Sequence, residues 1–276
     1  MTVVAICTPH AGRVPPEYYR HVLQMQGHPE GLKHQFLHVE IDHAIVGKAR
    51  NACVEAAFQS NAEVLWFIDD DVLVPAEAAL LVEQAMKLGV VSGMYFNRHP
   101  PYTPQLYMRA NEPEYASLPN GVVYWPLMQY PEGLMVVDAC GGGCLLVRRE
   151  VFDKLKDLRQ RELNSVTAAQ ASLDAFIDLS AQGNVPDHPR WQGLRSSLSL
   201  LTNHRPVMSP WFEFTDAKGE DMYFCERLRE IGQVVWANTQ VKCGHLSSIP
   251  ITEVQFAFLK DHGLVKRLGP DGKPID

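Results

Sequence analysis

The sequence lacks the features that mark membrane, repeat and low-complexity proteins. No uninterrupted apolar run approaches the roughly 20 residues that a membrane-spanning helix needs, and no internal repeat is present. The first residues, MTVVAICTPHAG, have no basic region of the kind that opens a signal peptide. We therefore expect a globular cytoplasmic protein without integral membrane contact. Its 46% hydrophobic and 21% charged residues agree with that class.

Basic residues and cysteines are also scarce. Lys and Arg total 25 against 32 Asp and Glu, which gives 25 − 32 = −7. That balance argues against nucleic acid as a bulk electrostatic partner, although a local basic groove stays open. The six cysteines are scattered and mostly lie in apolar segments. In a chain without a secretion signal, this pattern favours buried thiols over a disulfide framework.

The first ninety residues alternate between short β-branched runs and longer amphipathic ones. Such alternation indicates βαβ units and an α/β fold with a mostly parallel sheet, in which ligands bind beyond the carboxyl ends of the strands. Strands are predicted at 3–7, 35–41 and 64–68, and helices at 17–25, 44–59 and 75–88.

The pattern changes after residue 90. Candidate strands and aromatic, Pro-rich loops come first, followed by a polar and mostly helical stretch at 153–206. We interpret that stretch as an insertion or lid within a single catalytic domain of residues 1–250; a helical hairpin that braces the sheet fits equally well. An amphipathic helix is predicted at 219–232 with a strand after it, and residues 251–276 are predicted to form a C-terminal helix and tail.

An apolar run, WFIDDDV, passes straight into three carboxylates: Asp69, Asp70 and Asp71. If the strand stays extended through Asp71, then Asp69 and Asp71 share one face and Asp70 points the other way. Two carboxylates on one face suit a hard ion such as Mg²⁺ or Mn²⁺, which proteins hold with one or two carboxylates plus substrate phosphates. The alternative is a solvated acidic turn before the next helix.

Two further motifs carry charged side chains. Arg50, in the helical segment KARN, lies either on a solvated helix face or near a bound phosphate or base. Glu220 and Asp221 begin a predicted helix, where acids favour the helix dipole. Alternatively, one of them is a general base, which must lie within hydrogen-bonding reach of the proton that it takes.

The glycine run and the late histidine are each ambiguous. The run at 141–143 matches neither common phosphate-binding glycine pattern, so it is either a tight turn or a place where backbone approaches a ligand. His245 is more simply structural than a ligand when taken alone. A zinc site that combines it with Cys140, Cys144 and Cys243 would have an unusual spacing.

Taken in order, these motifs resemble those of nucleotide-sugar-dependent glycosyltransferases of the GT-A fold, most closely the family-2-like group. The resemblance consists of VVAICTP at the first strand, ARN on a helix, WFIDDDV as the DxD motif, GGGCLLVRREVF, GEDMYFCERLREIG and the histidine of VKCGHLS. It covers roughly residues 1–150 and 207–250. It implies a Rossmann-like, mostly parallel sheet flanked by helices.

The resemblance also implies roles for single residues. Asp71 would ligate Mn²⁺ or Mg²⁺, Asp69 would face the metal and the ribose, and His245 would be an additional metal ligand. Asp221, rather than its neighbour Glu220, would be the catalytic base. The implied donor-binding residues are Thr8 and Pro9 beside the nucleobase, Asp42 as the candidate for reading that base, Arg50 near the diphosphate or base, Asp69 and Asp70 of the acidic motif, and Gly142 and Gly143 along the donor sugar and acceptor.

The implied activity is transfer of a sugar from a nucleoside diphosphate sugar, with a UDP-sugar favoured, to a hydroxyl acceptor. Glycan, protein, lipid-linked glycan and modified nucleic acid all stay open as acceptors. A base opposite the leaving group predicts inversion, although retention stays open. The alternatives are a nucleotidyltransferase or phosphohydrolase that uses the same carboxylates, and a non-catalytic module that binds sugar nucleotides.

Overall fold

A computed structural model describes residues 1–42, 45–109, 124–181, 193–194, 196, 211–215, 218–247, 252–261, 267–268 and 274–275. The chain divides into two compact units, one of Met1–Phe152 with Trp211–Asp276 and the other of Asp153–Pro210. The predicted start of the second helix, at residue 44, lies outside the described residues. So does most of 182–206 in the predicted insertion.

The first unit is built on a seven-stranded mixed sheet, so the α/β prediction is confirmed. The strand order is β2-β1-β3-β10-β5-β11-β8. Five strands point the same way, and β10 and β8 run against them. The three strands predicted near the N-terminus are all present. The strands are β1 (Val3–His10), β2 (Gln35–Asp42), β3 (Val64–Ile68), β5 (Val90–Met94), β8 (Leu134–Val137), β10 (Cys144–Arg148) and β11 (Val235–Lys242).

Helices precede or follow these strands, as the alternation predicts. The helix predicted at 75–88 is instead two segments, a 3₁₀ turn at Ala76–Leu80 followed by an α-helix that Gly89 ends at φ 85°. Glycine suits that position because it adopts positive φ without strain. The α-helices are α1 (Pro16–Gly27), α2 (Val46–Phe58), α3 (Leu81–Leu88), α4 (Arg149–Ala181), α5 (Glu220–Glu230) and α6 (Glu253–Asp261).

Short strands form three smaller sheets. One pairs β4 with β12 and brings together two segments that are far apart in sequence. The described part of the tail contains α6 and a two-stranded antiparallel pair, β13 with β14, where only a loose end was expected after the helix. The short strands are β4 (Val72–Leu73), β6 (Leu106–Arg109), β7 (Tyr124–Pro126), β9 (Ala139–Cys140), β12 (Gly244–His245), β13 (Arg267–Leu268) and β14 (Pro274–Ile275).

Both faces of the central sheet are covered. Successive side chains of a strand point to opposite faces, so neighbouring residues of β3 pack on different sides of the sheet. Trp66 of β3 joins a cluster that includes Tyr18 of α1 and Leu81 of α3. Its neighbour Phe67 contacts Phe152 and Phe212 on the other face, with ring centroids 6.2 and 5.1 Å apart. β3 is therefore buried on both faces, and its carboxyl end opens at one edge of the sheet.

All six cysteines are buried free thiols, which confirms the prediction from their scattered positions. They lie side by side in three pairs that join segments far apart in sequence. Cys140 lies beside Cys225, whereas Cys144 lies beside Cys243, so the four-residue zinc set considered above is divided between two pairs. The pairs are Cys7 with Cys53, Cys140 with Cys225, and Cys144 with Cys243.

Candidate active site

The acidic triplet leaves the sheet in a turn rather than as an extended strand. β3 ends at Ile68, and the N–H of Val72 donates to the carbonyl of Asp69 at 3.0 Å. The expectation that Asp69 and Asp71 share one strand face is therefore wrong. Because the chain turns here, the two carboxylates meet different partners.

Asp71 lies beside His245 because two short strands pair. In the antiparallel β4–β12 ladder, His245 is opposite Val72. The N–H of Leu246 donates to the carbonyl of Asp71 at 2.7 Å, which extends the contact by one residue. Since β12 follows β11, this ladder brings the end of a second parallel strand to the end of β3.

The two side chains of this pair leave a position for a positive charge. His245 Nδ1 lies 2.7 Å from the carbonyl of Phe96, which fixes Nδ1 as the protonated nitrogen. The other nitrogen, Nε2, lies 3.2 Å from Asp71 Oδ2. If the imidazole were neutral, Nε2 and the carboxylate oxygen would each direct a lone pair at the other. Either a proton or a cation therefore belongs between these two atoms.

The electrostatics favour the proton when no ion is bound. Burial lowers the pKa of His245, but the hydrogen bond and charge of Asp71 more than offset it and raise the pKa above its ordinary value. Burial raises the pKa of Asp71, but His245 and the nearby Arg98 bring it below its usual range. Both shifts favour an imidazolium paired with a carboxylate over two neutral groups.

Asp71 and His245 fit a divalent ion as two of its ligands. Ligands at right angles around an octahedral ion with bonds of about 2.1 Å lie about 3 Å apart, close to the 3.2 Å observed. The carbonyl behind Nδ1 is the kind of partner that metal-binding histidines use. Across the part of the chain that the structure describes, no three His, Cys, Asp or Glu side chains group closely enough to hold an ion. Asp69 stands apart from this pair.

Asp69 is instead held by a buried arginine. Arg50 Nη2 donates to both oxygens of Asp69, at 2.6 and 2.9 Å, and Arg50 Nη1 donates to Glu220 Oε1. The arginine belongs to the buried face of α2 rather than to a solvated one. Its pKa is raised despite burial, because the charges of Asp69 and Glu220 favour the cation. Arg50 thus ties the end of β3 to the start of α5.

The glycine run provides the space for this arginine and for Tyr95. A Cβ on Gly142 would lie 2.6 Å from Arg50 Cζ, and one on Gly143 would lie 2.9 Å from both Tyr95 Cζ and Val72 Cγ2. The N–H of Gly143 donates to Tyr95 Oη at 3.0 Å. Gly142 and Gly143 are buried against protein side chains, and their predicted contact with the donor sugar stays a prediction.

Asp221 differs from its neighbour Glu220 in having no basic partner. Among the described residues, no Lys, Arg or His forms an ion pair with Asp221, and its Oδ1 accepts the N–H of Met222 at 2.8 Å. Burial raises the pKa of Asp221, and the charge of Arg50 only partly offsets it. Burial raises the pKa of Glu220 as well, and Arg50 opposes that shift too, so the two carboxylates differ in their ion pairing and not in the direction of their pKa shifts.

Asp70 lies between its two acidic neighbours and remains the least compensated member of the triplet. Burial, followed by the charges of Asp71 and Asp69, raises the pKa of Asp70 to about 6. The charge of His10, at the carboxyl end of β1, acts in the opposite direction. The predicted role of Asp70 in donor binding stays a prediction.

The predicted nucleobase residues lie at the ends of β1 and β2. Thr8 is buried, and its hydroxyl is bonded to the hydroxyl of Tyr18 rather than free. Pro9 is buried at the next position. Asp42 is exposed at the end of β2, where it pairs in register with His10. These residues share the sheet edge with Asp71, and their roles stay predictions.

Two side chains received no role of their own from the sequence: Arg98, and Asn51 of the KARN segment. Arg98 Nη1 donates to Asp71 Oδ2 at 2.8 Å, and Asn51 holds the backbone of Phe212. Arg98 follows β5, a strand that the sequence does indicate. The rule that ligands bind beyond the carboxyl ends of parallel strands was therefore enough to find it.

Comparisons with known proteins show no family for this chain. No protein-family model and no curated protein sequence matches this chain. Among solved structures, the crystal structure of A197 from STIV is similar, with a TM-score of 0.48 and 14% identity over 100% of this chain and 93% of that one. Such a likeness assigns no activity. Among the described helices, none is both long and apolar enough to span a bilayer.

Proposed function

We propose that this protein is a metal-dependent glycosyltransferase of the GT-A type. It would move a sugar from a nucleoside diphosphate sugar, with UDP-sugars favoured, to a hydroxyl acceptor. One observation supports this most directly: the carboxylates at one edge of a mostly parallel sheet have different charged partners. Asp71 is paired with His245, Arg50 holds Asp69 and Glu220, and no basic side chain of the described residues forms an ion pair with Asp221.

Under this proposal each side chain has a separate task. Asp71 and His245 would hold Mn²⁺ or Mg²⁺, and the ion would supply Lewis-acid stabilisation of the charge on a leaving diphosphate. Arg50 fixes the position of α5 relative to the acidic turn, because it bonds both Asp69 and Glu220. Asp221 takes the proton from the acceptor hydroxyl. Attack opposite the leaving group then inverts the anomeric carbon.

A calorimetric panel tests the donor site. UDP, GDP, CDP and dTDP are titrated with and without Mn²⁺ into the wild type, Asp71→Ala and Asp138→Ala. Asp138 is the matched control, because it also pairs with an arginine and its side chain is 28% exposed against 26% for Asp71. We expect one nucleotide to bind with Mn²⁺, to lose at least about tenfold in Asp71→Ala, and to be unchanged in Asp138→Ala.

Two other results would overturn the proposal. If no nucleotide binds to the wild type under any condition, the acidic triplet has no donor to serve. If incubation with a nucleoside triphosphate releases pyrophosphate while sugar nucleotides stay intact, the protein is a nucleotidyltransferase.

A further inference from the structure

We propose that Arg98 is a ligand for the donor's diphosphate, and that it exchanges between Asp71 and phosphate when a divalent ion binds Asp71. The inference rests on the proposed function, because it takes a nucleoside diphosphate as the ligand. It adds Arg98 to the site and couples metal binding to diphosphate binding, and the sequence motifs contain neither.

The first observation is that one carboxylate oxygen serves two cationic groups. Asp71 Oδ2 lies 2.8 Å from Arg98 Nη1 and 3.2 Å from His245 Nε2. A divalent ion that binds this oxygen replaces the positive charge that Arg98 supplies. It also repels the guanidinium, so Arg98 must leave Asp71 or remain beside a cation.

The second observation is that the other arginine at the site cannot move. The Arg50 side chain is only 3% exposed, and both of its terminal nitrogens donate to carboxylates. Turning it toward a phosphate would leave Asp69 and Glu220 partly buried without a counter-charge, which is strongly unfavourable. Arg50 is therefore a fixed connection and not a free phosphate ligand.

Arg98 has the opposite properties. Its side chain is 51% exposed, and its ion pair with Asp71 is the only one it forms among the described residues. Exposed ion pairs contribute little stability and exchange easily. The guanidinium has five donors in a planar fork, and a single oxygen of Asp71 occupies one nitrogen. Phosphate oxygens are the acceptors that match such a fork best.

The backbone that carries Arg98 is anchored at the site, whereas the side chain is half-exposed and among the described residues forms an ion pair with Asp71 alone. The carbonyl of Phe96 accepts from His245 Nδ1 at 2.7 Å. The N–H of Asn97 donates to the carbonyl of Thr103 at 2.9 Å, and Asn97 Oδ1 accepts the N–H of His99 at 3.1 Å. A rotation of the Arg98 side chain alone is thus enough to redirect the guanidinium.

These observations predict opposite effects on the two ligands when Arg98 is removed. Calorimetry would measure Mn²⁺ alone, and then Mn²⁺ with whichever of UDP, GDP, CDP and dTDP the wild type binds most tightly. In Arg98→Ala, we expect Mn²⁺ alone to bind at least threefold tighter, because a competing cation is gone. We expect the nucleotide to bind at least tenfold weaker. The nucleoside without phosphates should bind equally to both proteins.

Arg229→Ala is the matched control. Arg229 pairs with Asp138 at 2.7 Å and its side chain is 42% exposed, so the change removes a similar ion pair from the far part of α5. We expect neither Mn²⁺ nor nucleotide affinity to change by more than twofold. Arg98→Lys keeps the charge without the fork, and we expect it to recover Mn²⁺ competition but only part of the nucleotide affinity.

The outcomes separate this inference from the proposed function. If the wild type binds none of the four nucleotides with Mn²⁺, the proposed function fails and the role of Arg98 fails with it. If the wild type binds one of them and Arg98→Ala binds it within twofold, the donor site stands and the role of Arg98 is overturned. A parallel loss of Mn²⁺ and nucleotide affinity would also overturn the exchange.

Discussion

Asn51 holds the backbone of Phe212 from both sides: Asn51 Nδ2 donates to its carbonyl at 2.7 Å, and Asn51 Oδ1 accepts its N–H at 3.0 Å. Phe212 in turn stacks on Phe224 of α5, with ring centroids 4.4 Å apart. One amide side chain therefore connects α2 to the segment that leads to Glu220 and Asp221.

Replacing this amide should destabilise the first unit. In Asn51→Ala, the N–H and carbonyl of buried Phe212 lose their partners, and we expect a loss of about 1–3 kcal/mol in the free energy of unfolding. Urea unfolding followed by tryptophan fluorescence measures this. Asn61→Ala, at an exposed position before β3, is the control and should change little. Equal stability of the two variants would contradict the role of Asn51.

The two adjacent acids at the start of α5 should respond differently to neutralisation. Asp221→Asn removes the proposed base, so we expect turnover of the donor to fall by about 10²–10⁴ with nucleotide affinity retained. Glu220→Gln removes a carboxylate that Arg50 contacts inside the protein, and we expect a loss of about 3–5 kcal/mol in stability. Turnover of a sugar nucleotide and thermal unfolding, measured on both variants, test the division. Similar behaviour of the two would refute it.

The close approach of Gly142 to Arg50 predicts that even one methyl group is harmful. Its Cβ would lie 2.6 Å from Arg50 Cζ, and the guanidinium cannot retreat without losing its carboxylates. We expect Gly142→Ala to cost about 1–3 kcal/mol of stability. Gly27→Ala is the comparison, because nothing lies within 4 Å of a Cβ there. Urea unfolding of both variants measures the two changes in stability. If Gly142→Ala leaves the stability unchanged, Arg50 is freer than its contacts indicate.

A buried histidine away from the site should make the fold sensitive to acid. Burial lowers the pKa of His34 below its ordinary 6.5, although Glu83 opposes the shift. The unfolded chain then binds a proton at a higher pH than the folded one. Stability is therefore fully present above about pH 6.5 and is lost as the pH falls toward the folded pKa.

His34→Phe isolates this effect. The two proteins differ at this residue alone, so the difference in their pH dependence belongs to His34. We expect the wild type to lose more free energy of unfolding than the variant between pH 7.5 and 5.5, measured in urea at each pH. Identical pH dependence would show that His34 titrates alike in the folded and unfolded chains.

The sequence predicted the fold better than it predicted contacts at the site. The bounds of β3 were predicted correctly because five consecutive apolar residues, VLWFI, stand between two polar segments. The sheet edge followed from strand–helix alternation, and it placed Asp71 correctly beyond the end of β3. His245 entered through a family resemblance, since its position opposite Val72 depends on the pairing of two short strands.

What the sequence could not supply is the choice of partners across long separations. Arg50 and Glu220 are 170 residues apart, and no periodicity relates them. The like charges of the acidic triplet predicted either a bound cation or a solvated turn. In the structure, Arg50 compensates Asp69, and Arg98 with His245 compensates Asp71. Local pattern detects that such charges need compensation, but tertiary packing decides which groups supply it.

The three pairs of buried thiols can be used to detect local opening of the fold. Each pair joins segments that are far apart in the chain, so both sulfurs of a pair become accessible to a thiol reagent when the same contact separates. Regions of a folded protein open with different free energies. The order in which the pairs acquire a label during slow alkylation would therefore rank three regions: the β1–α2 contact, the β9–α5 contact, and the β10 contact beside the acidic turn.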